Sequence, residues 1–167
     1  MKRSFSVISI FIVLCSAALL ALAQTPAVNP LVGSWKINIA KSKYSPADLA
    51  SKSGTSKIEA AGGGIKLTVD TVDNQGRKVH QEYTANFDGK DVRCNCTIDG
   101  KPSPNQDTVA WKKIDDYTYD LVAKLNGQVL TTTRIAVARD GKSRTNTATG
   151  KNAQGQTVSN VVLYEKM

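Results

Sequence analysis

Between residues 74 and 141 the chain is punctuated at short intervals by turn-forming groups: Asn74-Gln75-Gly76, Asp88-Gly89, Asp99-Gly100, Asp115-Asp116, Asn126-Gly127 and Asp140-Gly141. The segments between them are rich in β-branched and aromatic residues, and Asn-Gly or Asp-Gly between such runs is a strong short-range signal for a β-hairpin. The pattern predicts a β-meander of about ten strands, near residues 33–39, 55–61, 64–72, 77–87, 91–98, 106–114, 117–125, 128–138, 142–149 and 156–165. Alternation at Ile65, Leu67 and Val69, and again at Val92, Cys94, Cys96 and Ile98, marks one face of a strand in each case. Hairpins join neighbours antiparallel, and rolling the meander into an up-and-down β-barrel would remove its two exposed edges. The expected fold is all-β, with no long helical period interrupting the strands.

One short helix is expected at Ser45-Pro46-Ala47-Asp48-Leu49-Ala50-Ser51-Lys52. Ser45 would be the N-cap, Pro46 the first helical residue, Asp48 an acid in the first turn, and Gly54 follows just beyond. Leu49 is its one sizeable apolar anchor, so the segment would cover one end of the barrel or remain a surface turn.

The first residues belong to a different argument. Lys2 and Arg3 precede an apolar run from Val7 to Leu22 that ends in the small-residue site Ala21-Leu22-Ala23. That order is the pattern of a secretory signal peptide over residues 1–23, cut before Gln24. The run of about sixteen apolar residues is short of the roughly 20 that span a bilayer, and no stable membrane insertion is expected after cleavage. Residues 24–30 then form a linker, residues 31–167 a single barrel domain, and the expected location is periplasmic or secreted.

Charge narrows the function classes. The chain has 22 Lys and Arg against 14 Asp and Glu; without Lys2 and Arg3 the balance is 20 − 14, or +6. The lysines are scattered and the aromatics few, which gives neither a basic stripe nor a stacking platform, so nucleic acid is not an expected partner. Once the signal is removed only roughly a third of the residues are apolar, low against the usual 45 to 50%. Such a chain struggles to fill a dry core but could line a hydrated cavity. The strand Ser143 to Thr149 illustrates this, with Thr145, Thr147 and Thr149 on one face and Arg144, Asn146 and Ala148 on the other. A hydrated lumen is expected beside it.

Leu31-Val32-Gly33-Ser34-Trp35-Lys36 at the start, and Asn126-Gly127-Gln128 through Arg134, Asp140-Gly141-Lys142 and Tyr164-Glu165-Lys166 at the end, resemble the first and last three strands of the calycins. Within that superfamily the intracellular fatty-acid-binding branch, with about ten strands, is closer than the lipocalins proper. Small secreted bacterial lipocalin-like proteins are also similar over most of the chain. The resemblance implies a barrel that carries a small hydrophobic or amphipathic molecule, best guessed as a fatty-acid-like carboxylate. It implies Arg134 and Tyr164 as polar anchors, since in the fatty-acid-binding branch an Arg-x-Tyr pair on the last strand and an Arg on the third-last hold the carboxylate. Val162 stands where the terminal-strand Arg would be, so one guanidinium is missing. The helix-turn-helix lid is reduced to the Pro46 segment, and the export signal sets this chain apart from a cytosolic lipid shuttle.

Parity decides which of these side chains face inward. An alternative buried face of Thr131, Thr133, Ile135 and Val137 would leave Arg134 in solvent, because a one-residue change in register reverses every side chain. Tyr164 shares its face with Val158, Asn160 and Val162 and reads as barrel wall; Tyr83, with Val79, Ala85 and Phe87, reads as another lining residue. Gly33 and Trp35 are expected to be structural, with Trp35 plugging the closed end of the barrel.

Enzymatic groupings are hard to find, and no catalytic function is expected. His80, the only histidine, alternates with Lys78 and Glu82 on a solvated face. Gly62-Gly63-Gly64 reads as a turn between strands and not as a phosphate loop, because no helix follows. No metal site and no cofactor are expected. Cys94 and Cys96 pose the remaining question. On a regular strand alternate residues lie roughly 6.5 Å apart with parallel side chains, at the limit of what a bridge tolerates. The expectation is therefore two small buried apolar residues, with a bridge possible only at a bulge. The competing functional class is a scaffold, in which the barrel is filled and loops such as Lys101-Pro102-Ser103-Pro104-Asn105 engage a protein or envelope polymer. A monomer is expected in either case.

Overall fold

A computed structural model describes residues 29–167. The expected signal peptide, residues 1–23, and most of the 24–30 linker lie outside the described residues. What is described is an all-β molecule, a curled antiparallel half-barrel of twelve strands in one sheet. In chain order the strands are β1 Gly33–Ile37, β2 Ser51–Ala61, β3 Gly64–Asp73, β4 Lys78–Asn86, β5 Asp88–Arg93 and β6 Asn95–Ile98. They continue as β7 Lys101–Pro102, β8 Thr108–Lys113, β9 Thr118–Leu125, β10 Gln128–Val137, β11 Ser143–Lys151 and β12 Thr157–Lys166. The expected count of about ten strands and one short helix is roughly consistent with this: every predicted segment falls on strand, and of the turn groups only Asp88-Gly89 is misplaced, since those two residues open β5, where Asp88 pairs with Lys112.

The hydrogen-bonded order is β5-β8-β9-β10-β11-β12-β1-β2-β3-β4-β6-β7. First and last long strands therefore meet: β12 pairs antiparallel with β1, with Trp35 opposite Lys166 and Ile37 opposite Tyr164. The seam lies at the other side, where β4 runs through Phe87 straight into β5 although the two take different partners. β4 pairs with β3 and β6, and β5 pairs with β8. The chain itself thus spans the break in the sheet.

Two expectations need correcting here. The predicted strand 91–98 is not continuous: Cys94 falls between β5 and β6, where the chain leaves β8 for β4. The break draws the Cα atoms of Cys94 and Cys96 to 5.2 Å, and the two are joined in a disulfide, where the sequence had suggested free apolar residues. The second correction concerns the helix at 45–52, which shrinks to a single 3-10 turn, Ala47–Leu49. Pro46 is extended and offers no side-chain cap, and Ser51 is already paired with Asp73 as the first residue of β2. Strand pairing thus takes the residues a second turn would need. Another 3-10 turn, Ile39–Lys41, is capped by the Asn38 side chain, which accepts from the Lys41 N–H.

The core is packed at one end and open at the other. Trp35, Trp111, Tyr119, Leu31, Ile58, Ile65 and Ile135 are almost fully buried. Phe87 stands at the seam, 5.0 Å from the Tyr119 ring and 6.3 Å from Trp111, between centroids. Trp35 is fully buried and donates its indole N–H to the Leu31 carbonyl at 3.0 Å, which fixes the orientation of its ring in the core. Gly33 is required two residues earlier. Its φ is +143°, and a Cβ there would stand 2.5 Å from Cε of Lys166, whose ammonium lies 5.1 Å from the Trp35 ring centroid.

Candidate functional site

A cavity of about 250 Å³ occupies the interior beyond Trp35. Its walls combine apolar residues (Ile37, Leu67, Val69, Leu121, Ile135 and Val162) with Thr71, Gln81, Gln106, Thr131, Thr133 and Asn146. The strand Ser143–Lys151, expected beside a lumen, supplies Arg144 and Asn146 to that wall. Gln81, Gln106, Ala123 and Thr131 also belong to a second, outer cleft of about 370 Å³. Asn105, Lys151, Asn152 and Gln154 also line it, so the cleft adjoins the cavity across the shared residues.

Three of the four ligand-site residues expected from sequence lie on the cavity wall. Tyr164 and Val162 arrive from β12, Tyr83 from β4. Tyr83 is 5% exposed and its hydroxyl accepts the indole N–H of Trp111 at 3.1 Å. Burial pushes the phenols of both Tyr83 and Tyr164 above the usual tyrosine range.

Arg134 is the exception. It projects from the outer face of β10, where its guanidinium donates to both carboxylate oxygens of Asp120 at 2.8 and 2.9 Å. Ile135 and Val137 are buried on the other face, so the alternative parity is the one adopted. The cause is register: Arg134 stands directly opposite Asp120 on β9 and Thr147 on β11, and an outward ion pair costs far less desolvation than a buried one.

The interior cation comes instead from Arg144, 2% exposed on β11. Its cross-strand partners are Val137 and Tyr164, neither of which can accept a charge-assisted bond in the manner of a carboxylate. The guanidinium carbon lies 4.2 Å from the Tyr164 ring centroid and 5.2 Å from that of Trp35. Nε is buried without a hydrogen-bond partner, and among the described residues no carboxylate lies within ion-pair distance of the side chain. Residues 1–28 contain no Asp or Glu that could supply one. Burial lowers the Arg144 pKa to about 10, which still leaves it charged at neutral pH.

Further polar atoms in the same cavity lack partners. The Tyr44 hydroxyl and Oδ1 of Asn146 are both buried and unpaired. Buried polar atoms are normally satisfied, so an arginine, a phenol and an amide left open around one cavity are groups that water or the polar part of a ligand in that cavity would complete.

His80 sits on the outer face, its Nδ1 2.7 Å from Asp70 Oδ1, and is far from a triad: the neighbouring charges are Glu82 and, beyond it, Lys66. No group of metal-binding side chains occurs among the described residues. No helix among them is long and apolar enough to cross a membrane. Comparison with protein-family models and with curated proteins gives no match.

Proposed function

We propose that this protein binds a small, partly apolar carboxylate inside its half-barrel, with Arg144 as the anchoring cation and Tyr164, Tyr83 and Tyr44 around it. The observation that carries the reading is Arg144 itself: a guanidinium 2% exposed, unpaired at Nε, and set in the wall of a cavity. Burying an uncompensated charge costs several kcal/mol, on the order of what a fold can barely spare, whereas a carboxylate in the cavity would convert that cost into charge-assisted hydrogen bonds. A filled scaffold would have no use for it. Val162, at the place where the resemblance to fatty-acid-binding proteins would put an arginine, stays an apolar wall residue in this reading.

The wider proposal keeps an exported calycin-type barrel that acts as a monomeric carrier, closed at the seam by the continuity of β4 and β5. The Cys94–Cys96 disulfide supports an oxidising compartment. Titration of a medium-chain acid and the alcohol of equal length against the wild type and Arg144→Met tests the core of it. The acid should bind roughly ten- to a hundredfold more tightly, and the variant should lose that preference. Equal affinities in the wild type would refute the reading.

A further inference from the structure

The chemistry beside Arg144 narrows the ligand further. Asn146 is two residues along β11 on the same face, so its amide lies roughly 6.5 Å farther up the wall. Its direct neighbours across the sheet are Ile135 on β10 and Val162 on β12, which can neither donate nor accept a hydrogen bond. Oδ1 of Asn146 is nevertheless buried and without a donor. Its donor must come from the cavity, from water when no ligand is bound and from the ligand once water is displaced.

A plain alkyl chain would supply no donor. Placed with its carboxylate on Arg144, it would run past Asn146 with methylene groups, sealing the carbonyl oxygen from water and giving it nothing in return. The Tyr44 hydroxyl, buried and unpaired on the same cavity, would be sealed in the same way. Size points in the same direction, since about 250 Å³ is below the roughly 300 to 1,000 Å³ of pockets for drug-sized ligands. The outer cleft is mixed, with the amides Gln106, Asn105, Asn152 and Gln154 beside Leu49, Leu130 and Val158, so it offers no purely apolar path for a long alkyl chain.

Resting on the reading of Arg144 as the carboxylate anchor, we infer that the ligand is a small acid carrying an N–H or O–H donor close to its carboxyl group. A hydroxy acid or an N-acylated amino acid has that form. The carboxylate takes the guanidinium, the donor takes Oδ1 of Asn146, and a modest apolar side group packs on Leu121, Ile135 and Val162. Asn146 is then the residue that sets specificity, because an acid without the donor leaves it unpaired.

Two probe series test this on the intact protein by calorimetric titration. The first is 4-methylpentanoate, 2-hydroxy-4-methylpentanoate and N-acetylleucine; the second is 3-phenylpropanoate, 3-phenyllactate and N-acetylphenylalanine. Within each series the apolar group is fixed and only the α substituent changes. The hydroxy or acylamino acid should bind about tenfold or more tightly than the plain acid, the equivalent of one hydrogen bond to a buried group. Asn146→Leu should erase that difference while retaining the plain acid, and Arg144→Met should weaken all members alike. The wild-type comparison decides even if Asn146→Leu fails to fold. Plain acids bound as tightly as their substituted partners would overturn the inference and leave the carboxylate reading standing. Failure of every acid in both series would overturn the two together.

Discussion

Arg144 and Tyr164 stand directly opposite one another on β11 and β12, with the guanidinium carbon 4.2 Å from the centre of the phenol ring. The ring face offers electron density to the cation but no lone pair in the plane of the guanidinium, so it steadies Arg144 without consuming its N–H donors. Trp35 acts similarly from the closed end. The arginine is thereby held in place and left chemically unspent, as a binding group must be.

That arrangement gives the first prediction. The aromatic contacts contribute up to about 2 kcal/mol each when desolvated, while the penalty for a buried unpaired charge is several kcal/mol. Arg144→Met should therefore be neutral or stabilising, by up to about 3 kcal/mol in denaturant unfolding of the ligand-free protein, while losing carboxylate binding. A loss of stability above about 2 kcal/mol would identify Arg144 as a structural strut between two rings.

Binding should also report the titration of this group. Arg144 has its pKa lowered by burial to about 10, and a bound carboxylate favours the charged form. Affinity should then be full between about pH 6 and 9, weaken as pH rises through about 10, and weaken at the acid end only as the ligand itself protonates near pH 4. Stability moves in the same alkaline window and must be followed separately. Tyr83 and Tyr164 are held above the ordinary tyrosine pKa, so the folded state keeps protons that the unfolded chain releases above about pH 10. For the phenols this means that stability falls with rising pH there; Arg144, lowered to about 10 in the folded state, contributes in the opposite sense, and two phenols against one guanidinium leave a net fall. Unfolding curves and phenolate absorbance, measured alongside the titrations, separate the two effects.

Arg134 provides the contrast. Its pairing with Asp120 lies in solvent, so Arg134→Ala should leave carboxylate affinity unchanged within about twofold. A tenfold loss on the order seen for a direct ionic contact would mean that the side chain reaches the ligand after all.

These two arginines show what could be read in advance and what could not. Most strand positions followed from turns such as Asn126-Gly127 and Asp140-Gly141, whose chemistry is local; Asp88-Gly89 is the exception, taken into β5 by pairing with β8. Inward or outward direction is not local: Arg134 sits on β10 after a bulge between Val129 and Thr131, which resets the alternation counted from the Asn126-Gly127 turn. For Arg144 a signal did exist. The turn at Asn152 to Gln156 is centred on Gln154, and counting ten residues each way pairs Arg144 with Tyr164, already expected on the inner wall. The β5–β6 break had no such signal, because Val92, Cys94, Cys96 and Ile98 alternate as a regular strand would. Only the competition of β4 and β8 for the same segment breaks it.

The disulfide at that break should be a minor contributor to stability. Its ring closes over only three residues, Cys94 to Cys96, so the chain entropy it removes from the unfolded state is worth about 1.6 kcal/mol, below the 2 to 5 kcal/mol typical of native bridges. Replacing both cysteines with serine should cost no more than that in oxidising buffer and nothing measurable in reducing buffer. A larger loss would mean that the bridge holds β5 and β6 to their separate partners, and a shift of Gln106, whose amide lies 3.0 Å from Cys96 Sγ, should then weaken ligand binding too.

Gly33→Ala should destabilise the closed end by about 1 to 3 kcal/mol, through two separable causes. One is the backbone, since φ of +143° is a conformation L residues rarely adopt. The other is Lys166, whose Cε lies 2.5 Å from the position of the new methyl and would be displaced from the Trp35 ring. Lys166→Ala removes the second cause in advance, so the glycine substitution made in that background should cost less than in the wild type, the remainder measuring the backbone strain. Gly63→Ala is the control: its methyl would meet only Oδ1 of Asn86 at 4.0 Å, and thermal unfolding should barely change. Equal costs for Gly33→Ala with and without Lys166 would show that the lysine yields freely, and that Gly33 is needed for its φ alone.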